Sequence, residues 1–267
     1  MIQVIGNEKA PMSRQGAYLM AAALAMVAPL TYSQQAAKIH MHGISGYAAD
    51  GLLFEPPGNG PFRALILIHD EWGVTERFIE QAKRFVNSGF VVVAIDLYRG
   101  EIAADAQRAA QLYGALSPES AQHDLEAAMT FLAGQPNVRG GHVGIIAWSA
   151  GGVPALRLAA KNPQVLAVVL NMCSPPTTLS AVVGLHAQVL GNFGGCDPAP
   201  SPLATKTFLK ALHARGIAAA AKVYPSKKAE LSNFVSLSAD DSRDAESRTL
   251  RFLDTSLGEG PSVDGRN

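Results

Sequence analysis

Apolar residues along this chain fall into two alternating rhythms. Short, mainly apolar runs occupy residues 64–68, 90–95, 143–147, 165–172, 188–193 and 217–224. Bounded by turn residues, such runs read as strands buried on both faces. Between them apolar positions recur at helical spacing, so that each helix has one face to lay over the strands. Phe78, Ala82, Phe85 and Val86 form the first such stripe, which closes at Ser88 and Gly89. A second helix is expected over about residues 103–116. A third opens at Ser117-Pro118, with Ala121, Leu125, Ala128, Met129 and Leu132 inward. Val153, Leu156 and Ala160 mark a fourth, and Ser201-Pro202 opens a fifth with Phe208, Leu209 and Leu212 inward. The last runs from about residue 240 to 257, with Leu250 and Leu253 inward. This alternation predicts an α/β fold, a mostly parallel central sheet with helices on both faces.

Composition changes that picture little. The chain has 267 residues, 48% of them apolar, and 22 basic groups balance 22 acidic ones. That is enough for one globular domain, placed at residues 37–257, and it leaves no basic footprint for nucleic acid. Residues 258–267 read as a flexible tail. Residues 1–36 read as a signal-like or flexible segment. Arg14 precedes an uncharged stretch at 16–30 and a polar exit at 31–35, with Met12 as an alternative start. The stretch is too short for a stable membrane span, and as a signal peptide it implies export to the periplasm or beyond. Without that role the protein is expected in the cytoplasm. Nothing in the sequence specifies an oligomeric state.

The densest chemical signal is Gly-Ile-Ile-Ala-Trp-Ser-Ala-Gly-Gly at residues 144–152. A strand that turns this sharply into a helix forces its turn residue into a strained backbone. It therefore needs small residues two positions to either side, here Ala147 and Gly151. That is the nucleophile elbow of a hydrolase, with Ser149 at its tip. Other polar residues also stand at carboxyl ends of predicted strands, where parallel sheets place their sites. They are His69, Asp70, Glu71, Asp96 and Asp197.

Three further stretches carry a resemblance to the dienelactone hydrolase family of α/β-hydrolases, over about residues 44–257. Ile-His-Asp-Glu-Trp-Gly-Val at 68–74 resembles the family's His-Glu-x-x-Gly segment. Gly-Phe-Val-Val-Val-Ala-Ile-Asp-Leu-Tyr at 89–98 resembles its Asp-Leu-Tyr strand, and residues 190–197 resemble its acid loop. The resemblance implies the α/β-hydrolase fold, a small ester or lactone as substrate and no cofactor; His69, Asp70 and Glu71 superficially suggest a metal site, but the sequence offers no second ligand cluster, so no metal is expected. The resemblance further implies Ser149 as nucleophile, where the family more often has cysteine, and Asp197 as triad acid. The backbone N–H groups of Ala150 and Glu71 match the oxyanion hole. Asp70 matches a carboxylate that approaches the resting nucleophile. His69, Asp70 and Trp148 are the candidates for the substrate pocket, Trp148 either lining it or packing beneath the elbow.

The sequence departs from the family where the base should stand. Family members end the last strand with Tyr-Pro-Gly-Ala-x-His, whereas residues 224–229 read Tyr-Pro-Ser-Lys-Lys-Ala, so Ala229 occupies the histidine position. Losing such a base costs a serine protease roughly a million-fold in turnover, about 8 kcal/mol. The oxyanion hole and binding alone retain roughly a thousand-fold over water. His69, Glu230, Lys227 and Lys228 are the substitutes to consider, although His69 is better suited to a hydrogen bond that shapes the oxyanion loop. His123, His186 and His213 suit surface or core roles. Two readings follow: a hydrolase of small esters or lactones, weakened or with an unusual base, and a lapsed α/β-hydrolase that binds an acyl or lactone-like ligand. The two cysteines, Cys173 and Cys196, fall near the ends of neighbouring strands. That spacing allows either a bridge or two buried thiols.

Overall fold

Strand β3 (Phe62–Ile68) is buried along its whole length, which is why its sequence shows no polar alternation. Its neighbours β4 (Phe90–Asp96) and β5 (Val138–Trp148) run parallel to it. The computed structural model describes residues 36–43, 46–172, 175, 183–194, 201–225 and 238–258. All belong to one of two contact-defined units, residues 34–267. The other unit, residues 1–33, lies outside the described residues, and with it the signal-like segment; so does the tail from residue 259.

Eight strands form one sheet in the order β1-β2-β4-β3-β5-β6-β7-β8. β6 (Val165–Asn171), β7 (Gln188–Phe193) and β8 (Ala219–Val223) extend the parallel part from β5. β1 (Ala37–His42) and β2 (Ala48–Phe54) pair antiparallel, and β2 is antiparallel to β4 as well. The periodicity did not mark this hairpin, because β1 carries exposed Lys38 and His40 and β2 carries Asp50 and Gly51 in place of an apolar run.

The two faces of the sheet bury two separate cores. On one, Ala64, Ile66 and Ile68 share a core with α3 (Pro118–Ala133), α4 (Gly152–Lys161) and α5 (Pro202–His213), which contribute Leu125, Leu132, Leu156, Phe208 and Leu212. On the other, Leu65 and Leu67 meet α1 (Glu76–Asn87) and α6 (Ala239–Leu257) through Phe78, Phe85, Leu253 and Leu257. α1, α3, α5 and α6 each begin at a Ser or Thr whose side chain accepts a backbone N–H of the first turn, a cap worth about 1 kcal/mol.

Several expectations need correction. α2 is Ala106–Ala115 and not 103–116, because Asp105 caps it. β8 begins at Ala219, two residues later than expected. Val153 is 46% exposed, since α4 turns Ala155, Leu156, Leu158 and Ala159 inward instead. Leu209 and Leu250 are half-buried. Among the described residues no helix is long and apolar enough to cross a membrane.

Candidate active site

β5 lies between β3 and β6, with Ala147 opposite Ile68 and Trp148 opposite Asn171. Immediately past Trp148 the chain folds into a single tight turn, Ser149–Gly151, and then into α4. Ser149 has φ 42°, in the left-handed region that a residue with a Cβ avoids at a cost of about 1–3 kcal/mol. The Gly152 N–H donates to the Ser149 carbonyl and closes the turn. Gly151 explains why the turn can sit so low. A Cβ there would lie 2.8 Å from Ile68 Cγ2 and 2.9 Å from the His69 carbonyl oxygen. The elbow is thus pressed against the carboxyl end of β3, with Ser149 and Ala150 half-buried at its surface. The N-terminus of α4 adds its unsatisfied N–H groups and partial positive charge there.

The loop after β3 is held from below by His69. The Leu97 N–H donates to His69 Nε2 at 3.2 Å, so Nε2 is the unprotonated nitrogen and Nδ1 carries the hydrogen. Nδ1 in turn donates to the Asp70 carbonyl at 2.6 Å. Both ring nitrogens are therefore engaged with backbone. Burial also holds the imidazole below its usual pKa. His69 ties β3 to β4 and shapes the loop, and it has no nitrogen left with which to take a proton from Ser149.

Asp70 is 4% exposed, and its Oδ1 accepts the Trp72 N–H at 2.9 Å. Its Oδ2 is buried without a partner among the described residues, and burial pushes the carboxyl up to about 7. Glu71 Oε2 and Trp72 Nε1 are likewise buried without partners among the described residues. The Trp72 carbonyl accepts the Ala103 N–H, and the Tyr98 ring packs on Gly73 and against His69.

At the carboxyl ends of β6 and β7, Asn192 Nδ2 donates to Asn171 Oδ1 and to Thr249 Oγ1, each at 3.0 Å. The Tyr224 N–H donates to the Phe193 carbonyl, and a Cβ on Gly194 would lie 2.8 Å from the Tyr224 carbonyl oxygen. β7 and β8 thus end side by side. The Tyr224 hydroxyl and Lys222 both donate to Asp244 Oδ2 on α6. The triad acid position Asp197, the vacant base position Ala229, the substitutes Lys227, Lys228 and Glu230, and both cysteines lie outside the described residues.

A model of the dienelactone hydrolase family matches residues 49–256, most of the chain. The chain belongs to the dienelactone hydrolase family. Carboxymethylenebutenolidase from Pseudomonas putida is 28% identical over 163 residues, which is 57% of this chain and 69% of that protein. A Methylorubrum extorquens relative provisionally given the same name is 27% identical, over 64% of this chain and 63% of its own length. In solved structures the fold recurs in dienelactone hydrolase from Anabaena variabilis, at TM-score 0.63 and 19% identity. That match covers 84% of this chain and 98% of the other. It also recurs in a dienelactone hydrolase-like promiscuous phosphotriesterase from metagenomic libraries, at TM-score 0.70 and 18% identity. Here the coverage is 84% of this chain and 99% of that one.

In this family member the structure brings Ser149, Ala150, His69, Asp70 and Glu71 together at the ends of β3 and β5. Trp148 packs inward. It is 2% exposed and meets Phe78 edge-on, with ring centroids 5.5 Å apart, beneath the elbow. Asp96 is consumed locally, accepting the N–H groups of Tyr98 and Gly100. All seven histidines lie among the described residues, and none approaches Ser149 as a base would. His142 is upstream on β5, about 20 Å back along the strand, and His186 and His213 stand at the opposite end of the sheet. His40 and His42 are on β1, four strands and about 19 Å from β5. His123 packs on Tyr47 beside β2. No group of His, Cys, Asp and Glu among the described residues is placed to hold a metal. The sequence reading missed the orphaned Trp72 indole and the Asn171–Asn192 pair. The pair's signal was an asparagine at the end of one apolar strand, Asn171, and another next to the end of the following one, Asn192.

Proposed function

We propose that the protein is a slow hydrolase of small carboxylic esters or lactones with Ser149 as its nucleophile. The observation that carries this reading is the left-handed Ser149, held in strain at the tip of an elbow wedged against the His69 carbonyl. Such strain persists only where the surrounding packing imposes it, and it clusters at reacting groups. Attack by Oγ on a carbonyl carbon would move negative charge onto the carbonyl oxygen. The N–H groups of Ala150 and Glu71, together with the N-terminus of α4, are the donors available to meet it. The proton of Oγ has no imidazole to receive it, so acylation relies on solvent or on a weak carboxylate base. A rate roughly 10³–10⁴-fold above water is the expected scale, as for triads stripped of a member.

The second reading, a lapsed hydrolase that binds without turnover, is favoured by the engagement of both His69 nitrogens. A fluorophosphonate probe separates the two, because it needs an activated hydroxyl and an oxyanion hole but no knowledge of the substrate. The hydrolase reading expects labelling of the wild type and none of Ser149→Ala. Equal or absent labelling in both proteins sinks it and leaves the binding reading.

A further inference from the structure

The turn that follows β4 is fastened at two levels. At its base Asp96 Oδ1 accepts the Tyr98 N–H and Oδ2 the Gly100 N–H. At its tip Arg99 has φ 56° and Gly100 φ 89°. A left-handed residue other than glycine persists only where its surroundings impose that backbone. Here the constraint lies at the far end of the side chain. The Arg99 guanidinium donates to Asp124 Oδ1 on α3 at 2.7 Å, and to the Tyr47 hydroxyl at 3.5 Å. The Asp124 side chain is fully covered, and its Oδ2 has no partner among the described residues. Covering one end of an ion pair adds little net stability, because lost hydration offsets the attraction. What the pair does supply is direction, since the carboxylate left alone in that position would be strongly disfavoured.

The oxyanion loop rests against the same turn. The Leu97 N–H donates to His69 Nε2 at 3.2 Å, and the Ala103 N–H to the Trp72 carbonyl at 3.0 Å. Gly73 lies so close that a Cβ there would be 2.7 Å from the Glu101 carbonyl oxygen and 3.3 Å from the Tyr98 ring. Residues 69, 72 and 73 are thus each held by residues 97–103, and Glu71 lies between them. From this chain of contacts we infer that Arg99 and Asp124 are positioning residues for the oxyanion donor. Their ion pair ties the turn to α3, and the turn sets where the Glu71 N–H stands. The inference rests on the reading of Ser149 as the reacting centre. Neither residue touches the substrate. Both act through the backbone that borders Glu71, where a displacement of about 1 Å can cost roughly a hundred-fold in rate.

Arg99→Gln, Asp124→Asn and the double variant test the inference, with Arg99→Lys as the conservative replacement. One readout is amide exchange at Trp72, Gly73 and Ala103, which needs no turnover. The other is the second-order rate at which a fluorophosphonate labels Ser149. Each single variant should quicken that exchange by at least about five-fold, while exchange inside β3 and α3 stays within about two-fold of wild type. Labelling should slow by about ten-fold, part of what losing an oxyanion donor outright would cost. The double variant should match the worse single within about two-fold, because the two residues make one interaction. Arg99→Lys keeps a charge opposite Asp124 and should recover most of both effects. Arg99 is exposed, so its variants carry the test even if Asp124→Asn does not fold. Unchanged exchange at residues 72, 73 and 103, equal quickening throughout the protein, or additive effects in the double variant would overturn the inference. So would labelling at the wild-type rate while exchange quickens. If the wild type takes no label, the hydrolase reading falls, and the exchange pattern still decides whether the pair holds the loop.

Discussion

The two ends of the site are fixed by different kinds of bond. At β3 and β5, backbone does most of the holding: a left-handed serine, a glycine pressed on a carbonyl, and an imidazole bonded to one main-chain N–H and one main-chain carbonyl. At β6 to β8, side chains hold side chains. Asn192 bridges Asn171 and Thr249, and Asp244 gathers Tyr224 and Lys222. Geometry set by backbone tolerates changes in its neighbours' side chains. Geometry set by side-chain pairs does not, because each partner must arrive from a different element. The half that carries Ser149 is the first kind.

The largest expected effect separates the halves by pH. Asp70 is buried and its carboxyl is raised to about 7, whereas Asp244 is exposed and held below its usual range by Lys222 and Tyr224. A carboxyl raised in the folded state binds a proton that the unfolded chain has released. Its contribution is therefore fully present below about pH 4, declines as pH rises, and is gone above about pH 7. Asp244 works in the opposite sense, losing its contribution as pH falls. Urea unfolding of wild type and Asp70→Asn across pH 4–8 should give a stability difference that shifts against the wild type as pH rises. The span is about 4 kcal/mol at most, at 1.4 kcal/mol per unit. A flat difference curve would mean that Asp70 is solvated and that the buried-loop account is wrong.

Gly151→Ala strikes the backbone-built half directly. The added carbon meets the His69 carbonyl and the Ile68 side chain inside normal contact, and main chain cannot step aside as a flexible side chain can. A loss of about 3 kcal/mol in unfolding free energy is expected, at the upper end for overpacking. Labelling of Ser149 should fall with it, since the elbow must move. Wild-type stability in this variant would show that the elbow sits higher than described.

Ala229→His asks whether the second half lacks only one group. If the loop still leads to the site, ester hydrolysis should rise by at least about a hundred-fold, equivalent to roughly 2.7 kcal/mol off the barrier. An unchanged rate in a folded protein would mean that more than the imidazole has been lost.

The same division governs what could be read from sequence. The buried strands and the elbow were legible because sterics leave few alternatives. A parallel strand must be apolar throughout, and a turn this tight must have Gly or Ala at Ala147 and Gly151. The helix stripes were mostly legible, but Val153 was not, because α4 buries Ala155, Leu156, Leu158 and Ala159 and leaves Val153 on its outer face. The β1–β2 hairpin was invisible because its pairing with β4 is a tertiary choice that composition does not record. A loop-shaping role for His69 was legible, but its partners were not, since one is adjacent, Asp70, and the other, Leu97, is 28 residues away.

The smallest effect is expected at Asn192, and it bears most directly on the side-chain-built half. Its amide nitrogen reaches both Asn171 on β6 and Thr249 on α6, and its oxygen faces Arg248 at 3.5 Å. Asn192→Ala removes two bonds of ordinary length between buried neutral groups, each worth about 0.5–1.5 kcal/mol net. Thr249 keeps a partner, because its hydroxyl also donates to the Ala245 carbonyl, so only part of the network is orphaned. The expected loss is about 1–2 kcal/mol. It should be accompanied by faster amide exchange at residues 192–194 and 224, where β7 and β8 end together. Exchange at residues 69–74 should be unchanged, since nothing in that loop bonds to Asn192. If exchange quickens equally at both ends, the halves are coupled through the sheet and the contrast between them does not hold.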